Sequence, residues 1–154
     1  MKQQKIACFG YTIYKYSINA NERIPFTTHK GKQFNFLTKG NLHIFNIDGK
    51  IKEANTGTFI SLTEYLDDDY WFKSKEPFEF FHCNESDNRN FLPNVEHYHF
   101  NPKTTIYGQE NQKIFLCEGK VKVENNELEG PYQLYVVNPK EIKCLTECLI
   151  LEIK

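Results

Sequence analysis

Gln33-Phe34-Asn35-Phe36-Leu37-Thr38-Lys39-Gly40 and Gln112-Lys113-Ile114-Phe115-Leu116-Cys117-Glu118-Gly119 share one pattern, Gln-x-x-Phe-Leu-x-x-Gly. The Phe-Leu segment is a nearly continuous apolar run, which reads as a buried strand. The terminal glycine permits a tight turn. An alternating strand follows in each copy: Leu42 and Ile44 share one face in the first, Val121 and Val123 in the second. His43 and Phe45 then fall on the opposite face. A later glycine, Gly57 or Gly130, opens the next strand in each half. A duplication explains this most simply. The competing reading is two generic hairpin strands that align by coincidence.

Working outward, short aromatic and β-branched runs bounded by Gly, Asn, Asp or Pro predict strands throughout. They cover residues 5–9, 11–18, 34–37, 42–47, 57–62, 70–73 and 78–83 in the first half. In the second they cover 95–100, 113–117, 120–124, 132–137 and 144–153. Asp48-Gly49 marks a hairpin, and Glu124-Asn125-Asn126-Glu127 a further turn. Helical periodicity is confined to 62–69, where a loop is preferred. Many short strands with regular turns imply an all-β sandwich or barrel. The polar stretch 83–94 is the best linker. The organisation expected is therefore two abbreviated tandem repeats, 1–88 and 89–154, packed as one compact unit.

Composition narrows the function. Hydrophobic residues make up 40% and aromatics 15% of 154 residues, enough to fill a core. The net charge is −1 and no basic stripe exists, so nucleic acid is not expected as a partner. No apolar run approaches membrane-spanning length, and no export signal is evident. A cytoplasmic location is expected, with Cys8, Cys83, Cys117, Cys144 and Cys148 as reduced thiols. Cys144 and Cys148, read as one strand, would face the same side. No phosphate loop, nucleophile elbow or paired-carboxylate signature is present.

The repeat resembles the cupins, the double-stranded β-helix barrels. Their first motif ends in a glycine, with a glutamate seven residues before it and a His-x-His ahead of that. Here Thr27-x-His29-x3-Gln33-x6-Gly40 keeps the spacing and changes two of three ligand positions. The second motif, from Gly57, offers Thr63 and Asp67–Asp69 where a proline and a histidine would stand. In the second half Ile106 and Gly108 occupy the histidine positions, and Pro139 with Glu141 or Lys143 follows Gly130. The resemblance implies a cupin-like barrel or jelly roll with degenerate metal positions. It does not fix a function. Thr27, His29 and Gln33 share parity, so on an extended strand they face one way. In a cupin that way is the barrel interior.

The candidate ligand-binding residues are thus Thr27, His29, Gln33 and Trp71, the last through stacking on a sugar ring or simply as core or rim. His29 is the candidate catalytic acid–base group, or else a satisfied interior histidine. The sugar-nucleotide ketoisomerase cupins, which the His29-Lys30 segment and Gln33-x6-Gly40 resemble, imply such metal-free chemistry. His97-x-His99 puts two imidazoles on one strand face. With Glu110 or Gln112, and a loop over 101–107 to restore register, it is the candidate metal set. The alternative is a solvated or packed strand pair backed by Glu96, Tyr98 and Phe100. His43 and His82 are expected to be structural or exposed. A divalent metal and no cofactor at all both stand. The function expected is small-molecule binding, of a sugar or organic acid. The alternative is a cupin enzyme, metal-dependent at His97 and His99 or metal-free at His29. A homodimer is expected, with Tyr11–Ile18 as a swapped or intermolecular strand.

Overall fold

The computed structural model describes residues 1–26, 33–61, 70–88 and 95–154. The chain divides into two units, Met1–Phe91 and Leu92–Lys154.

The first unit holds β1 (Lys2–Cys8), β2 (Tyr11–Ile18), β3 (Ile24–Phe26), β4 (Gln33–Lys39), β5 (Leu42–Asn46), β6 (Gly49–Ala54), β7 (Phe59–Ser61), β8 (Tyr70–Lys73) and β9 (Phe78–Asn84). They form two antiparallel sheets, β1-β2-β9-β4-β7 and β3-β8-β5-β6. Alternation decides what lies between them. Ile18, Leu37 and Phe80 from the first sheet meet Leu42, Ile44 and Phe72 from the second in one apolar cluster. Phe80 and Phe72 are fully buried and their rings meet edge to face at 5.7 Å. Each such ring contributes roughly 1.5–3 kcal/mol through burial.

The second unit holds β10 (Val95–Phe100), β11 (Thr105–Gly108), β12 (Gln112–Glu118), β13 (Lys120–Val123), β14 (Asn126–Glu129), β15 (Tyr132–Val136), β16 (Lys140–Cys144) and β17 (Cys148–Ile153). Its sheets are β10-β17-β12-β15 and β11-β16-β13-β14. Each strand of this unit occupies the place of the strand eight earlier in the first, with β1 the one addition. Register repeats as well. The ladder between β4 and β9 shifts between Leu37 and Lys39, and that between β12 and β17 between Leu116 and Glu118. The shifts coincide at the spacing that lays Gly40 on Gly119.

Several expectations change in detail. Residues 144–153 are two strands, not one, so Cys144 and Cys148 sit on different sheets and meet in the shared core because those sheets face each other. Tyr11–Ile18 is not an edge. β2 pairs with β1 on one side and β9 on the other, which leaves no free ladder for an intermolecular strand. The all-β reading itself holds. No helix among the described residues is long and apolar enough to cross a membrane.

Candidate functional site

Gln33, Asn35 and Leu37 alternate toward the interior of the first unit, and Phe80, His82 and Asn84 do so from the neighbouring strand. β4 and β9 pair Asn35 directly with His82. The two strands therefore carry apolar residues inward at one end, Leu37 and Phe80, and polar ones at the other. Gln33, Asn35, His82 and Asn84 are all buried.

The polar end is a directed hydrogen-bond chain. The Asp87 backbone N–H donates to Asn84 Oδ1 at 3.0 Å, at the start of a short 3-10 helix over Glu85–Asp87. A backbone N–H can only donate, so this bond fixes the Asn84 amide and points its Nδ2 at His82 Nε2, 3.3 Å away. Nε2 must then accept, so the proton sits on Nδ1 and is donated to Asn35 Oδ1 at 2.8 Å. His82 is thereby held neutral in one tautomer. Asn35 Oδ1 is committed to the imidazole. Its Nδ2 is buried and has no hydrogen-bond partner among the described residues. Tyr16 closes one side of the cluster, stacked on Phe80 at 5.1 Å and edge-on to His82 at 6.0 Å.

Of the residues singled out from sequence, Gln33 lies in this cluster. Thr27 and His29 lie outside the described residues, as does Asp67–Asp69. Trp71 is elsewhere. Tyr70 and Phe72 face the core, so Trp71 points to the opposite side of β8. There it stacks on Phe45 at 5.9 Å, and the Arg23 guanidinium covers its ring at 3.9 Å. Those partners already occupy the aromatic surface that a sugar would stack on.

The candidate metal set is not assembled. His97 and His99 are exposed on β10, on the side opposite Tyr98 and Phe100. Glu110 is exposed in a turn, whereas Gln112 faces inward, its side-chain oxygen accepting from the Gln109 N–H at 2.9 Å. Residues 105–107, part of the loop that was to restore register, belong instead to β11, paired with β16. Alternation is the physical cause, since inward and outward residues of neighbouring strands cannot share a ligand sphere. No group of three or more His, Cys, Asp or Glu side chains able to hold a metal occurs among the described residues. Amide oxygens and one imidazole with both nitrogens engaged are a poor donor set for a catalytic divalent metal. The described interior of the first unit therefore does not fit such a metal.

His43 does behave as expected: it faces away from Leu42 and Ile44, 3.5 Å from Glu53. His82, expected to be structural or exposed, is buried on β9, and its partner Asn35 lies 47 residues away, a separation no local pattern reveals.

Comparison with solved structures places this architecture. A cupin 2 conserved barrel domain protein from Leptotrichia buccalis aligns over 99% of this chain and 88% of its own, with 14% identity and a TM-score of 0.57. HutD from Pseudomonas fluorescens aligns over 94% and 79%, with 13% identity and a TM-score of 0.61. AerE from Microcystis aeruginosa aligns over 98% and 90%, with 14% identity and a TM-score of 0.56. The fold is that of the cupins. No protein-family model matches the sequence, and no curated protein matches it significantly. At these identities the likeness concerns the cupin architecture alone. Within that architecture, Asn35 and His82 are this chain's own occupants of the interior of the first cupin repeat.

Proposed function

We propose that this cupin-fold protein binds a small uncharged polar ligand of the sugar class in the interior of its first repeat. The observation that carries the reading is the Asp87–Asn84–His82–Asn35 chain, which ends on Asn35 Nδ2, without a hydrogen-bond partner among the described residues. A buried amide donor left unmade costs about 1–3 kcal/mol, and a ligand hydroxyl or carbonyl oxygen would recover it. The side chains of the cluster are amides and an imidazole held neutral, with no ionised group among them. Burying a carboxylate against them would incur a desolvation penalty without a counter-charge. A neutral ligand rich in hydroxyls avoids that penalty, which favours a sugar over an organic acid.

The test is a nuclear magnetic resonance titration with monosaccharides and small carboxylates, following the Asn35 side-chain amide and the backbone amides of β4 and β9. A sugar is expected to shift those resonances saturably. Asn35→Asp keeps an acceptor for His82 and deletes the donor, so it should abolish the saturable backbone shifts, as should Asn35→Leu. Binding that survives both substitutions, binding of carboxylates alone, or no binding by any sugar would each overturn the proposal.

A further inference from the structure

The interior of the second repeat differs chemically from that of the first. Pairing registers make the correspondence explicit. Tyr98 pairs with Ile150 as Tyr16 pairs with Phe80, and Ile114 pairs with Glu152 as Asn35 pairs with His82. A phenyl ring and an amide are thus replaced by two isoleucines, and an imidazole by a carboxylate. The smaller side chains leave a cavity of about 120 Å³ between the sheets, lined by Tyr98, Phe100, Ile106, Ile114, Ile150 and Glu152, with Gln112 and Tyr107 completing it. That is far more room than the roughly 10–15 Å³ one water requires. The walls are mainly aromatic and aliphatic, so water gains few partners there.

Two groups give the cavity a polarity. Glu152 is half-buried and turned inward, on the same side of β17 as Cys148 and Ile150. It has no ion pair of its own among the described residues, and the Tyr98 hydroxyl, which donates first to Glu96, reaches it at 3.3 Å. The carboxylate of Glu96 is paired with Lys154 at 2.6 Å, and the same ammonium is within electrostatic reach of Glu152 without bonding it. The second group is the aromatic wall. The Tyr98 and Phe100 rings lie nearly parallel, 5.8 Å apart, beside Glu152. A carboxylate next to aromatic rings in a partly desolvated space is the chemistry that selects an organic cation over a neutral or anionic molecule.

We propose that this cavity binds a small organic cation, an alkylammonium with a short apolar body. The ammonium sits against Glu152 and Tyr98, and the apolar body lies on Phe100, Ile106, Ile114 and Ile150. The side-chain oxygen of Gln112 is engaged by the Gln109 N–H, so it does not compete with Glu152 for the ammonium. The site is independent of the sugar-class reading of the first repeat.

The experiment uses the full chain with three matched probes, n-butylammonium, n-butanol and n-butyrate, and reads backbone amide shifts along β10, β12 and β17. Butylammonium is expected to bind saturably at millimolar concentration, butanol at least about tenfold more weakly, and butyrate not at all. Glu152→Gln should reduce butylammonium affinity to that of butanol. Ile114→Trp should fill the cavity and abolish both. Glu129→Gln, on the exposed β14, should change nothing. Equal binding of ammonium and alcohol, an unchanged affinity in Glu152→Gln, or no saturable shift with butylammonium would each overturn the proposal.

Discussion

At the level of single residues, sequence located one member of the polar cluster, Gln33, and passed over its neighbours. The spacing from Gly40 exposed Gln33, since a turn glycine and a strand of fixed length define an inward position. Asn35 and His82 carry no such marker. Each is ordinary alone, and their meaning comes from a cross-strand pairing. The hydrogen-bond chain makes Asn84 its anchor, because one amide both accepts from Asp87 N–H and donates to His82. Asn84→Ala should therefore lose an N-terminal cap, about 1 kcal/mol, and a buried donor, about 1–3 kcal/mol. Asn84→Asp should retain the cap and lose only the bond to His82. Urea denaturation of the two variants checks the order. Equal destabilisation would mean that the cap contributes nothing, and an Asn84→Asp variant as stable as the parent that the bond to the imidazole contributes nothing. The thiols are ordinary in a different sense. All five are free and buried, and burial pushes Cys8 and Cys83 up to about 12, which keeps them protonated and unreactive.

At the level of strands, the Gln-x-x-Phe-Leu-x-x-Gly copies were legible because their glycines meet two demands at once. Gly40 has φ +79° and Gly119 φ +111°, in the region that L side chains rarely adopt. An added Cβ would also meet Pro77 O at 2.7 Å in the first case and Glu147 O at 2.3 Å in the second. The strands that were missed, β3, β6, β11, β14 and β16, are short or polar. β14, Asn126–Glu129, is mostly exposed and is a strand because β13 pairs with it, not through any preference of its own. The glycine geometry ranks two substitutions. Both Gly40→Ala and Gly119→Ala should destabilise, by backbone strain and by overlap with a carbonyl that cannot retreat without breaking the turn. Gly119→Ala should cost about 2–4 kcal/mol and Gly40→Ala less, given its longer contact. Thermal melts of the two variants test this ranking, and a neutral Gly119→Ala would contradict it.

At the level of the whole molecule, each repeat is closed by its last strand. β9 lies between β2 and β4, and β17 between β10 and β12, so neither sheet is complete until its final strand is in place. This non-local closure is invisible to a reading that proceeds hairpin by hairpin. It also separates the two ends of the chain in their importance. Removing residues 148–154 takes away the centre of a sheet, with Cys148, Leu149, Ile150, Leu151 and Ile153 all buried. At roughly 1.5–3 kcal/mol for each large apolar side chain, the loss matches the 5–15 kcal/mol that typically holds a domain together. Removing residues 1–8 takes away β1, an edge strand whose side chains are mostly exposed and which has no counterpart in the second repeat. The short C-terminal deletion should collapse the amide dispersion of residues 95–147. The N-terminal one should leave the remaining strands folded but turn β2, rich in tyrosine, into a free edge. That variant should associate through the edge where the intact chain has β1 in place, a difference that sedimentation of both proteins at equal concentration would reveal. A folded C-terminal deletion, or an unfolded N-terminal one, would mean that closure by the last strand is not what holds each repeat.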